Sequence, residues 1–306
     1  MDDLERYKNS PPLRGGVRGG AWLLFAAMLL AFVAGFFVVR PSKFVDAPVY
    51  SSGMYGKNFF DAAYDRVRRG VMLTPSNDTP TSALVAHHLL VADKIAGVFD
   101  VIGSDDVRTV VLVSPNHFSI GSSAAQVSKG SWKTPYGTVV ADIDAVNALL
   151  AAVPELRHDE FAAPHEHGIG VLTPFVARSF PNAKLVPIML DESLSADVAW
   201  RLGEAIAKEL PDAVLVASVD MTHNRDADYT AENDAKVMTI IEKGENYETQ
   251  LDIDSNASLR ALFGFNQLRK TQAWHMTHHG SSLDMGATTD WRENTSHILG
   301  YFTSGE

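Results

Sequence analysis

The sequence predicts an α/β fold, a mainly parallel sheet flanked by helices, preceded by an N-terminal transmembrane helix. Three observations carry this reading. Short apolar runs without alternation, Ala83–Ala86 (ALVA), Thr109–Val113 (TVVLV) and Ala213–Ser218 (AVLVAS), read as strands covered on both faces. Segments with apolar residues at helical spacing alternate with them. Ala21–Val39 is 19 residues long and carries no charge, which at 1.5 Å per residue roughly matches the ~30 Å hydrocarbon core.

In chain order, residues 1–20 read as a cytoplasmic tail and 21–40 as a membrane anchor. Arg6, Lys8, Arg14 and Arg18 precede the apolar run, and Arg40 and Lys43 follow it. The bias favours a cytoplasmic N-terminus and a main domain outside the cytoplasm. A cleaved signal peptide is the competing reading, but no A-x-A site follows Val39. Residues 41–81 read as a juxtamembrane connector with a short amphipathic helix around Phe59, Phe60, Ala63 and Val67, and 82–306 as the domain proper. Within it, helices are expected over Leu89–Ile102, Asp142–Val153 (Asp142 as N-cap), Glu166–Phe180, Ser193–Leu210, Ala231–Lys243 and Ser258–Leu268. Pro174 should break or kink the third of these. Lys184–Leu190 reads as a strand whose Pro187 argues for an edge or a bulge. Ile298–Phe302 reads as the last strand.

The 306 residues carry a formal net charge of −11, and no basic patch is interleaved with aromatics. A nucleic-acid surface is therefore not expected. The absence of cysteine excludes disulfides, thiolate ligands and cysteine nucleophiles.

Chemistry points to the strand ends. ALVA runs into His87 and His88, TVVLV runs through Ser114-Pro115 into Asn116 and His117, and AVLVAS runs into Asp220 and His223; the first two are expected to be adjacent parallel strands, which brings their imidazoles within reach of one ion. In open α/β sheets, ligands sit beyond the carboxyl ends of the strands, and neutral imidazole ligates iron, copper and zinc. Asp220 could orient His223, ligate with it, or cap a turn. His165-Glu166-His167 opens a helix, where Glu166 also reads as a cap. His165 and His167, two apart, do not share a helical face. Trp274–Ser282 (WHMTHHGSS) reads as a strand running into a turn, and its His279 is a weaker site candidate.

Several segments, in order, resemble the Memo-like family, also called AmmeMemoRadiSam system protein B. They are AHHLL, SPNHF, SWKTPYGTVVAD, EHGIGVLTPF, SVDMTH and ILGYF. The resemblance covers roughly Ser82 to the C-terminus. It implies a fold similar to class III extradiol dioxygenases, which hold non-haem iron. It also implies His87 as the first metal ligand, with His88 as the alternative register, and His117 as the second. Asp220, His223, Glu166 and His167 fall on pocket positions. The family's third ligand is often a cysteine; here the matching stretch is Asp252–Leu259 (DIDSNASL), so Asp254 or Asn256 takes that place. Asp254 would complete a two-histidine, one-carboxylate set suited to Fe(II). Gly170 falls where the family has a second glutamate. The implied function is a membrane-anchored, metal-dependent redox or dioxygenase-like enzyme, with His223 or His167 as acid–base group. The divalent ion would be iron or copper ahead of zinc, and the ligand a small molecule or peptide. The alternative is a non-catalytic binding module.

Overall fold

The computed structural model describes residues 47–53, 55–69 and 79–304. The main sheet runs, edge to edge, β10 (Ala273–Ser281), β11 (Ser296–Thr303), β2 (Ser82–Val85), β9 (Val214–Ser218), β3 (Thr109–Pro115), β8 (Lys184–Leu190), β4 (Ala125–Val127) and β7 (Leu156–His158). The four central strands, β2, β9, β3 and β8, are parallel. Antiparallel pairings follow on both sides, β11 against β2 and β4 against β8, so the sheet is mixed with a parallel centre.

The unbroken apolar runs bury both faces. On β3, Val111 and Val113 join one core with Leu215 and Ala217 of β9. That core is completed by α3 (Ile143–Ala152), α6 (Ala196–Glu209), α7 (Ala227–Lys243) and α8 (Asn256–Arg269). Val110 and Leu112 face the other way, into a core with α1 (Lys57–Arg69), α2 (Ala92–Ile102) and α5 (Thr173–Ser179). Successive side chains on a strand point to opposite faces, and helices cover both. Helices α6 and α8 pack backbone to backbone, because a Cβ at Gly203 would collide with the Ala261 carbonyl.

Three expectations need correction. First, Pro187 lies on an interior strand, between β3 and β4. The last paired residue of β4 is Val127, opposite Ile188, and the Pro187 carbonyl accepts from Ser128 N at 3.2 Å. The N and C=O of one antiparallel residue face the same neighbour, so the missing N–H points where β4 has already ended. Second, β2 and β3 are not adjacent, because β9 runs between them. Third, the folded unit starts before Ser82. Val49–Ser51 (β1) pairs with β5 (Ser131–Thr134), which pairs with β6 (Gly137–Val139), and Phe60, Ala63 and Tyr64 of α1 are core residues. Pro174 acts as expected: the helix splits into α4 (His167–Gly170) and α5, with the proline in the first turn of α5.

No helix among the described residues is long and apolar enough to cross a membrane. The expected anchor, Ala21–Val39, lies outside the described residues.

Candidate metal centre

The carboxyl ends of β2, β9 and β3 deliver their polar residues to one place. His87 and Asp220 are buried, and the His117 side chain keeps 22% of its surface exposed. Because β9 sits between β2 and β3, Asp220 enters between the two histidine loops. Its Oδ1 accepts from the backbone N–H of His87 at 3.0 Å and of His88 at 3.4 Å. Asp254 arrives on the loop before α8. Its side chain accepts from Asp220 N at 3.1 Å, and its backbone N–H donates to the Asp220 carbonyl at 3.2 Å.

Asp254 Oδ2 lies 3.1 Å from His87 Nε2 and 3.7 Å from His117 Nε2. The other nitrogen of each ring is occupied. His87 Nδ1 meets Ser218 Oγ at 2.9 Å, and His117 Nδ1 meets Glu166 Oε1 at 2.7 Å. Such contacts fix ring orientation and leave Nε2 facing the carboxylate. Glu166 is both cap and orienter, for it also accepts from Gly168 N at 2.7 Å and His117 N at 2.9 Å. The loop has no spare room: a Cβ at Gly168 would collide with Ser114 Oγ.

The electrostatics follow from this packing. Burial opposes charge on His87, but Asp220 and Asp254 outweigh it and raise its pKa. Burial likewise opposes charge on His117, and its contacts with Asp254 and Glu166 push it up to about 10. Burial works to raise Asp254, yet His87 and His117 hold it down at about 2. His167, whose side chain is half exposed, is lowered to about 4 by partial burial and by repulsion from His117 and His87. Its ring stands 4.1 Å from that of His117 and 5.1 Å from that of His87.

Two sets of three are close enough to share an ion: His87 with His117 and His167, and His87 with Asp220 and Asp254. The trio His87, His117 and Asp254 is not one of these sets; what links it is the carboxylate, which approaches both rings. Two ligands each about 2.1 Å from an ion are about 3.0–3.4 Å apart, close to the 3.1 Å and 3.7 Å contacts of Asp254 Oδ2. Asp254 Oδ1 is buried with no hydrogen-bond partner. His87 belongs to both sets, and imidazole nitrogen and an orphaned carboxylate oxygen are donors that a divalent cation takes.

The remaining candidates separate. His88 turns away from the carboxylates, and its Nδ1 meets Nε2 of buried His297 at 3.0 Å. Burial lowers its pKa. His223 reaches the same cavity with Nδ1 against the Met221 carbonyl at 2.8 Å, which fixes the proton on Nδ1 and leaves Nε2 as an acceptor. Asn256 is the first residue of α8; its side chain accepts from Leu251 N at 3.1 Å and donates to the Leu251 carbonyl at 2.9 Å, so it holds a loop rather than joining the site. His165 is exposed. His279 pairs with Asp234 at 3.0 Å and belongs to neither set of three, so it stands outside the site. Ser218, Gly168 and the apolar cavity wall were missed in the sequence. Ser218 carried a signal in retrospect, as the last residue of an inward-facing strand two before Asp220.

A family model described as Memo-like protein matches residues 60–261. The chain belongs to this family. Similar curated proteins include a MEMO1 family protein of Caldivirga maquilingensis, 36% identical over 44% of this chain and 49% of its own length. Those of Methanothermobacter thermautotrophicus and Sulfolobus acidocaldarius are 31% and 37% identical, over 51% and 46% of this chain and 53% and 50% of theirs. The chain thus spans about half the length of the curated relatives it matches. An uncharacterized protein from Escherichia coli K12 aligns in structure with a TM-score of 0.48 at 13% identity, over 71% of this chain and 98% of that one.

Proposed function

We propose that this chain is a metal-dependent member of its family, with His87, His117 and Asp254 as the ligand set and Fe(II) or copper ahead of zinc as the ion. The observation that carries the reading is the Asp254 carboxylate, shared between two oriented imidazoles through Oδ2 with Oδ1 unpartnered. A two-histidine, one-carboxylate set leaves positions open on an iron ion for a substrate or O₂, which is the redox chemistry it would supply. The chain's own residues then do the rest. Ser218 and Glu166 hold the imidazoles in orientation. Asp220 ties the His87 and Asp254 loops together. His167, held neutral by its surroundings, and His223, with Nε2 free, are placed to take a proton from a ligand in the cavity.

Elemental analysis of the reconstituted chain beside a folded His117→Ala variant tests this. About one ion per wild-type chain and little in the variant supports it; equal content in both, or none in either, refutes it. A metal-free binding module for a small molecule or peptide is the competing reading. It draws on the way Asp254 already satisfies both imidazoles by ion pairing. Ala21–Val39 would place this activity at a membrane, with the domain outside the cytoplasm. A reporter active only in the cytoplasm, fused after Glu306, should then be silent, and activity there would overturn the orientation.

A further inference from the structure

The cavity above the histidines has a volume of about 550 Å³ and two unlike walls. One is polar and carries His87, His88, His167, Asp220 and His223. The other is formed by Tyr55, Phe59, Leu90 and Val171. Tyr55 is 47% exposed and Leu90 43% exposed, so two large apolar side chains stand in solvent at the mouth of a polar site. Tyr55 is backed by other rings. The Tyr55 and Phe59 rings stack at 4.3 Å with an interplanar angle of 29°. Phe59 meets Phe60 edge-on at 5.2 Å, and Phe60 meets Phe175 at 5.2 Å within the core. Tyr55 and Phe59 are thus tied to the core through Phe60 and Phe175. Tyr55 and Phe59 also lie before residue 60, where the family match begins, whereas His87, His117 and Asp254 lie within it.

We propose that this wall selects the ligand: an organic acid with an apolar body, its head at the histidines and its body against Tyr55, Phe59 and Leu90. The assignment deepens the metal reading and rests on it for the head alone, since open positions on a cation held at His87 are what draw an anionic group past Asp220. The body is a separate matter. A wholly polar ligand would gain nothing from this wall, whereas each methylene fully removed from water strengthens binding about fourfold.

The test is calorimetric titration of the full chain, Zn(II)-loaded and metal-free, with acetate, octanoate and 2-naphthoate. Octanoate or 2-naphthoate should bind at least about tenfold tighter than acetate, and their order tells an alkyl body from an aryl one. Tyr55→Ala and Leu90→Ala, both at exposed positions, should shrink that advantage several-fold while leaving acetate unchanged. Equal affinity for all three acids, no binding by any of them, or variants indistinguishable from wild type would overturn the proposal. Failure of the metal reading shows separately, as no uptake of Zn(II) before any acid is added, and the order of the three acids on the metal-free chain then still scores the wall; a Zn(II)-loaded chain that binds none of them overturns the proposal.

Discussion

His87 and His88 are consecutive in sequence and enter opposite environments. His87 Nε2 faces two carboxylates, Asp254 at 3.1 Å and Asp220 at 3.5 Å. His88 faces another imidazole, that of His297, which is buried with Nδ1 unpartnered. Both rings pay for burial, yet only His87 ends with a raised pKa; His88 ends lowered, and His297 falls to about 4. A pair of histidines is thus not a metal site by itself. The carboxylates decide which cluster can hold positive charge, whether as a proton or as an ion.

The largest effect that would break this contrast is on His87. Its removal leaves Asp254 and Asp220 buried without their partner, and breaking a buried pair costs about 3–5 kcal/mol. Denaturant unfolding of metal-free His87→Ala should show a loss of that order, against a much smaller one for His88→Ala. Equal losses would dissolve the distinction. Next comes Ser218→Ala, which frees the His87 ring to turn; loss of such an orienting contact costs about 10–100-fold in metal affinity. A chelator-competition titration reads this directly, and an unchanged affinity would mean the ring is held some other way.

The clusters should also respond oppositely to pH. His117, raised from 6.5 to about 10, contributes stability that is present below pH 6.5 and lost as the pH rises through about 10. His297, lowered from 6.5 to about 4, contributes stability present above pH 6.5 and lost as the pH falls through about 4. In the metal-free protein, His297→Gln should flatten the acid limb of a stability profile between those values and leave the alkaline limb in place. A change on the alkaline limb alone would contradict the assignment.

Much of this contrast was legible in the sequence, for physical reasons. Apolar runs ending in histidine gave β2, β3 and the positions of His87 and His117. What periodicity cannot supply is strand order. The two histidine strands were expected side by side, but β9 separates them and brings Asp220 between their loops. The choice between His87 and His88 turned on which ring points at Asp254, a carboxylate over a hundred residues away in sequence. The choice between Asp254 and Asn256 was likewise hidden, since both lie at the entrance to α8; only packing shows Asn256 tied to Leu251. The aromatic wall was missed because residues 47–69 read as a connector, although Phe59, Phe60, Ala63 and Val67 already had helical spacing.

The most direct test is a Co(II) titration, followed by absorption spectroscopy and calorimetry, of wild type, Asp254→Asn and His88→Ala. Asp254→Asn keeps the shape of the side chain and removes its charge. The account predicts one ion per chain in wild type, affinity reduced by about tenfold or more in Asp254→Asn, and no change beyond about twofold in His88→Ala. Equal affinity in wild type and Asp254→Asn, or a loss in His88→Ala as large as that in Asp254→Asn, would contradict it.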